Sequence, residues 1–181
     1  MPGLTPVRAF FLLGAVATVV PLTILATRPE AAPTPAPTRS PDFSLTDAEA
    51  IAEFERLNAS LTAAYRTRDI TLVKAFAAPG SPIAARVERE IRALLHDGVI
   101  DRTVTRQISA TVVENNADEI RIEQVVLDRA RFLDAASGRS VTLDSHWQRQ
   151  VVLWSLKLID SDWRLEDAVI TASRPASRPQ S

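Results

Sequence analysis

Apolar and polar positions divide this chain into a helical first half and a strand-rich second half, behind an apolar run near the N-terminus. Ile51, Phe54, Leu57, Leu61 and Ala64 recur at helical spacing and fall on one face of a helix. Thr46 followed by Glu49 forms a capping-box pattern, so the helix is expected from about Asp47 to Arg66. Asp69 to Ala77 has room for a short second helix, ended by Pro79-Gly80. Ser81 then caps a third, with Pro82 in its first position, Ile83, Val87, Ile91, Leu94 and Leu95 as its apolar stripe, and Gly98 just beyond its end. Glu88, Arg89, Glu90 and Arg92 would be its solvated face.

The period then changes from helical to two. Val104, Ile108, Ala110 and Val112 alternate with Thr105, Gln107, Ser109 and Thr111, which reads as a strand with one wet face. A turn at Asn115-Asn116 leads to Ile120, Ile122, Val126 and Phe132, and a three-residue loop would pair Val112 with Ile120 and Ala110 with Ile122. Arg106, Gln124 and Asp128 would then share the buried face. Ser137-Gly138 turns the chain into a strand holding Val141, Leu143 and Trp147. That strand runs on into a closing hairpin over His146 to Ile170, with Val152, Trp154, Leu156 and Leu158 in even phase and Trp163, Leu165 and Val169 in odd phase. A two-residue turn at Ser161-Asp162 would set Lys157 opposite Glu166 and bury Trp163 beside Leu158, under Phe54 and Leu57. Helices followed by a four-stranded antiparallel meander make an α+β domain. On the sheet's outer face Val151, Leu153 and Ile170 would leave an apolar patch fit for an interface.

Residues 9–27 form an uncharged, mostly apolar run that, at about 1.5 Å per residue, can cross a hydrocarbon core of roughly 30 Å. Arg8 before it predicts that residues 1–8 stay cytoplasmic and the rest of the chain lies outside the cell membrane. The exit Leu25-Ala26-Thr27 is a poor cleavage signal, which favours an uncleaved single-pass anchor over a signal peptide. Residues 28–42, with Pro29, Pro33, Pro35, Pro37 and Pro41, read as a semi-rigid linker. The folded domain is expected over residues 43–173, and residues 174–181 as a disordered tail.

Composition narrows the function. With 181 residues and 46% hydrophobic content, the chain suits one domain plus appendages. Net charge is -1, both ends lean basic, and the domain between them is mildly acidic without a basic stripe, so nucleic acid is not an expected partner. Cysteine is absent, which excludes disulfides, thiolate metal sites and a cysteine nucleophile. His96 and His146 lie far apart with no metal-ligand spacing, and His96 suits the dipole at a helix C-terminus. No glycine-rich phosphate loop and no serine-nucleophile motif is present, so neither a cofactor nor a catalytic constellation is expected.

The long first helix, the Tyr65-x-x-x-Asp69 exit, a third helix and the closing strand at Asp162-Trp163-Arg164-Leu165 resemble the NTF2-like, cystatin-like cone superfamily over residues 43–173. With an anchor and a proline-rich spacer in front, the layout also resembles the Mce-associated membrane proteins of actinobacteria. The first resemblance implies a curved sheet with a cavity under the helices, which Tyr65, Arg106, Gln124, Asp128 and Trp154 would line. It also implies a homodimer or protein partner through the outer sheet face. The second implies a non-catalytic accessory role in a membrane transport or secretion complex. An alternative is a pocket for a small apolar molecule, lipid or steroid-like, with the three tryptophans as a cage or, at their strand positions, as core. A third reading is a ketosteroid-isomerase or cyclase-like enzyme, with Asp128 as base and Tyr65 as oxyanion donor. Pairing of Asp128 with Arg106 would hold that carboxylate ionised and remove the base.

Overall fold

The computed structural model describes residues 44–142 and 145–177, within one compact unit that spans Pro41–Ser181. The expected anchor (9–27) and linker (28–42) lie outside the described residues, as do Phe43, Leu143 and residues 178–181. Among the described residues no helix is long and apolar enough to cross a membrane.

Helix α1 (Asp47–Thr67) begins where its capping box requires: Thr46 N donates to Glu49 Oε2 at 2.8 Å and Glu49 N to Thr46 Oγ1 at 3.4 Å. It ends at Arg68, which takes a left-handed conformation with φ 56°. A 3-10 turn (Ile70–Leu72) capped by Asp69 leads into the one-turn α2 (Val73–Phe76). Ser81 caps α3 (Pro82–His96) by accepting from Ala84 N at 3.2 Å. Of the expected α3 stripe, Ile83, Val87 and Ile91 are buried but Leu95 is 49% exposed.

Among the described residues six strands follow: β1 (Val99–Asp101), β2 (Val104–Asn115), β3 (Glu119–Arg129), β4 (Phe132–Asp134), β5 (Trp147–Ile159) and β6 (Asp162–Pro175). The main sheet is antiparallel in the order β2-β3-β5-β6, while β1 and β4 pair separately. Phe132 therefore leaves the line of β3, and among the described residues Val141 lies outside the strands: its N–H reaches Phe132 O at 2.9 Å, and β5 starts at Trp147. At the other end β6 reaches Pro175, which pairs with Gln148, so the ordered domain outruns its expected end at residue 173.

Register differs from the sequence expectation at each hairpin. Asp160 and Ser161, with φ 49° and 70°, form the turn between β5 and β6; Ile159 pairs with Asp162 and Lys157 with Arg164, not Glu166. Two positive φ values in a two-residue loop match the twist of the flanking strands. Between β2 and β3, Asn115 pairs with Ile120, and Val112 moves to Ile122 and Ala110 to Gln124.

Bulges change more than register. β2 is irregular between Gln107 and Ser109 and again between Val112 and Glu114, and β6 between its partners of Ser155 and Leu156. Each extra residue exchanges the faces of the strand beyond it. Thr105 and Gln107, expected outside, therefore turn inward, and Arg106 turns out. On β6 the odd phase of Trp163 and Leu165 gives way to Ala168 and Ile170 on the inner face, and Val169, expected inside, is 51% exposed. Ile170 packs against the core, so the outer apolar patch is Val151, Leu153 and Val169.

The core lies between α1 and the inner sheet face. Phe54, Leu57, Ile120, Ile122, Leu156 and Leu165 are fully buried there, and Trp154 and Trp163 retain 8% and 6% exposure. Trp163 sits opposite Leu158, as expected. One long helix across an antiparallel sheet, with two shorter helices after it, is the α+β layout that the NTF2-like, cystatin-like resemblance implies.

Candidate functional site

The inner sheet face has an apolar centre crossed by a single polar line. Trp154 packs on Phe54 with ring centroids 5.4 Å apart and donates its indole N–H to Gln124 Oε1 at 3.0 Å. Gln124, 3% exposed, donates Nε2 to Gln107 Oε1 at 2.7 Å, and Gln107 donates Nε2 to Glu55 Oε1 at 3.2 Å. The ends fix the direction of this line. Indole can only donate and an ionised carboxylate can only accept, so each amide must present oxygen inward and nitrogen outward. Every buried polar atom on the line is thereby satisfied, which is the condition for tolerating Gln124 in an apolar core.

Its outer end meets an open surface region lined by Glu55, Ala59, Thr62, Ala63 and Arg66 of α1 and by Gln107 of β2. The α1 members recur at helical spacing on the side turned away from the buried stripe. β2 is the edge of its sheet, paired among the described residues with β3 alone.

A second polar group lies at the far end of the inner face. Asp128 stands opposite Thr105 and Gln148, and its Oδ1 is buried with no hydrogen-bond partner among the described residues. Burial pushes the Asp128 carboxyl above its ordinary range; a hydrogen bond with Thr105 pulls it down, and the charge of Asp101 pushes it up again. Arg106 opposes Leu127 on the outer face and is exposed, so the expected Arg106–Asp128 pair is overturned: the bulge beyond Gln107 sends the two side chains to opposite faces. Tyr65 donates its hydroxyl to Glu90. Burial, reinforced by Glu90, raises the phenol well above its ordinary range. Glu90 is thus a partner of α1 and not part of a purely solvated face. Arg86, on the same helix, donates Nη1 to Ala168 O at 2.9 Å and ties α3 to β6.

Of the five residues read from the sequence as pocket lining, Gln124 and Trp154 are joined directly, Asp128 and Tyr65 belong to the polar end, and Arg106 leaves the site. Glu55, Gln107, Glu90 and Thr105 were not singled out. Gln107 and Thr105 read as outward positions until the bulge is known, and the two glutamates sit on helix faces that look merely solvated. Among the described residues no group of His, Cys, Asp or Glu could hold a metal ion.

These features define an α+β domain whose inner face is part packed core and part polar end. No family model and no curated protein matches the chain. Among solved structures it is similar to the intermembrane space region of the chloroplast protein ARC6, with 8% identity and a TM-score of 0.54 over 70% of this chain and 96% of that one. It is also similar to a protein of unknown function with a cystatin-like fold from Nostoc punctiforme, with 17% identity and a TM-score of 0.45 over 70% of this chain and 92% of that one. The first likeness shows a shared fold.

Proposed function

We propose that the chain is a membrane-anchored extracytoplasmic domain of the NTF2-like cone type that binds a partner protein in a membrane transport or secretion complex, without catalysis. The anchor and spacer read from residues 9–42 support the placement. The observation that carries the reading is the packing of Phe54 on Trp154 over Gln124, which fills the centre of the inner face and leaves the domain's surfaces for recognition. The outer patch of Val151, Leu153 and Val169 is one such surface, suited to a protein partner or a second copy. Crosslinking in intact membranes tests the reading: a higher-mass product is expected, and recovery of free monomer alone would overturn it.

A second reading draws on Asp128. Its partnerless buried Oδ1 and raised carboxyl suit a small ligand that brings a donor to the polar end of the inner face. As an isomerase-like enzyme the domain would keep its base there, but the hydroxyl of Tyr65 is committed to Glu90 and is not poised as an oxyanion donor. Native mass spectrometry across a lipid and steroid panel separates this reading from the first.

A further inference from the structure

We propose that the arginine end of the outer sheet face docks on an anionic lipid surface. The inference rests on the anchored reading of residues 9–27 and gives the domain a side turned to the bilayer.

The strand register builds a row of charge that no single stretch of sequence shows. Arg106 of β2 stands opposite Leu127 of β3, Leu127 opposite Arg149 of β5, and Arg149 opposite Arg174 of β6. Residues paired in this way share a face, so three guanidinium groups cross the outer face of the sheet in one line. Arg129, two residues further along β3 and opposite Val104 and Trp147, adds a fourth beside them. Arg149 and Arg174 face each other directly, and like charges so placed are destabilising. Among the described residues neither has a carboxylate within ion-pair distance. The neighbouring row of Ser109, Val125, Val151 and Ala172 carries no charge either. What complements Arg149 and Arg174 must therefore come from outside the domain, and it must be anionic.

Other observations favour a bilayer as that anion. A second copy of the chain suits the row poorly. Towards the other end of the same face Glu114 and Glu119 are already paired with Arg121 at 3.4 and 2.9 Å, and Asp162 with Arg164 at 2.9 Å, while a second arginine row would add repulsion. The row also lies straight across an open face: Arg106 and Arg174 are exposed and Arg149 is half-buried. At about 4.8 Å per strand it spans roughly 14 Å, and a charged plane engages such a line without the groove that a peptide segment needs. Guanidinium groups bind phosphate oxygens bidentately, which suits lipid headgroups. Residues 28–42, at about 3 Å per residue if extended, give a tether of roughly 45 Å. Docking by the arginine end leaves Leu153 and Val169, about 13 Å further along the strands from Arg149, for the protein partner.

The chain has no cysteine, so Ser109→Cys, exposed one row from the arginines, carries a single donor dye. Energy transfer to a headgroup-labelled lipid is read with the full chain in nanodiscs of phosphatidylcholine, with or without about 30% phosphatidylglycerol. Transfer is expected to rise in the anionic discs and to fall back in about 1 M salt. Arg149→Gln with Arg174→Gln is expected to weaken docking roughly twenty- to thirtyfold, near fivefold for each arginine. That double variant should melt no lower than the parent, because it relieves the opposed charges. A dye at Thr62→Cys, exposed on α1 across the domain, should respond less. Equal transfer in the two lipids, indifference to the double variant, or an equal rise at Thr62→Cys overturns the docking. Binding of a polyglutamate peptide that the double variant abolishes, with no response to lipid charge, would assign the row to an acidic protein segment and overturn the bilayer as its occupant. A chain that enters the discs without responding to their charge leaves the anchored reading standing, whereas a chain that does not enter them overturns both.

Discussion

Trp154 reaches diagonally from β5 to β3 and places its indole nitrogen 3.0 Å from Gln124 Oε1, so a core tryptophan and a buried side-chain amide satisfy each other. Gln124→Leu would strand that N–H and Gln107 Oε1 together. Leaving a buried donor without a partner costs about 1 to 3 kcal/mol. Trp154→Phe removes the donor itself, so the double variant should cost less than the two single losses added. Urea melts of the domain from Asp42 onward measure all three, and strict additivity would mean that the two side chains do not act as a unit.

Trp163→Ala should be more costly. The ring is 6% exposed, opposite Leu158 and within the cluster of Phe54 and Leu57, and truncating such a tryptophan costs about 3 to 5 kcal/mol. Arg106→Ala, on the outer face, should shift the same melt by less than about 1 kcal/mol. A large loss for Arg106→Ala would restore the buried pair that the bulge abolishes.

Asp128 makes stability fall as pH rises. Its folded carboxyl is raised by burial above the unfolded value, so its contribution is fully present below the unfolded value and is lost as pH climbs through the folded one. Asp128→Asn, which cannot ionise, should be more stable than the parent at neutral pH, with the difference shrinking on acidification. Melts over a pH series would show it; a difference that grows on acidification would mean that the carboxylate is held ionised.

Tyr65 is the sole tyrosine of the chain, so absorbance near the phenolate band reports on it alone. Burial and Glu90 raise its folded value, so the phenol should remain protonated through the range in which free tyrosine titrates, about pH 10, and ionise only with alkaline unfolding. The contribution is present below the unfolded value and lost as pH rises above it. Tyr65→Phe leaves Glu90 without this donor and should remove the alkaline absorbance step. Titration of the parent at the ordinary value, with circular dichroism unchanged, would contradict the buried contact.

Ser161 occupies the turn between β5 and β6 with φ 70°, a conformation that costs a side-chain-bearing residue about 1 to 2 kcal/mol. Ser161→Gly should therefore stabilise the domain by about 1 kcal/mol. A loss in the same urea melt would place the turn elsewhere.

Much of this domain was legible in the residues alone. Helical spacing and capping chemistry marked α1 and α3 to within a residue or two, and alternation marked β2 and the closing hairpin, because these signals are local and the backbone answers them locally. The same alternation placed Trp154 and Trp163 in the core. What the residues could not show was where alternation breaks. A bulge is decided by how a strand must bend to meet its neighbours, and it leaves no mark in the pattern of the strand that carries it. Hence Ile108 and Val113, apolar and unpaired at the two irregularities of β2, are 52% and 55% exposed, and Gln107 faces inward where alternation put Arg106. Tertiary packing likewise bound Tyr65 to Glu90 from a helix 25 residues away, and it joined Glu55 to the core through two glutamines. Such links depend on which faces meet in three dimensions, and one inserted residue in a strand exchanges those faces.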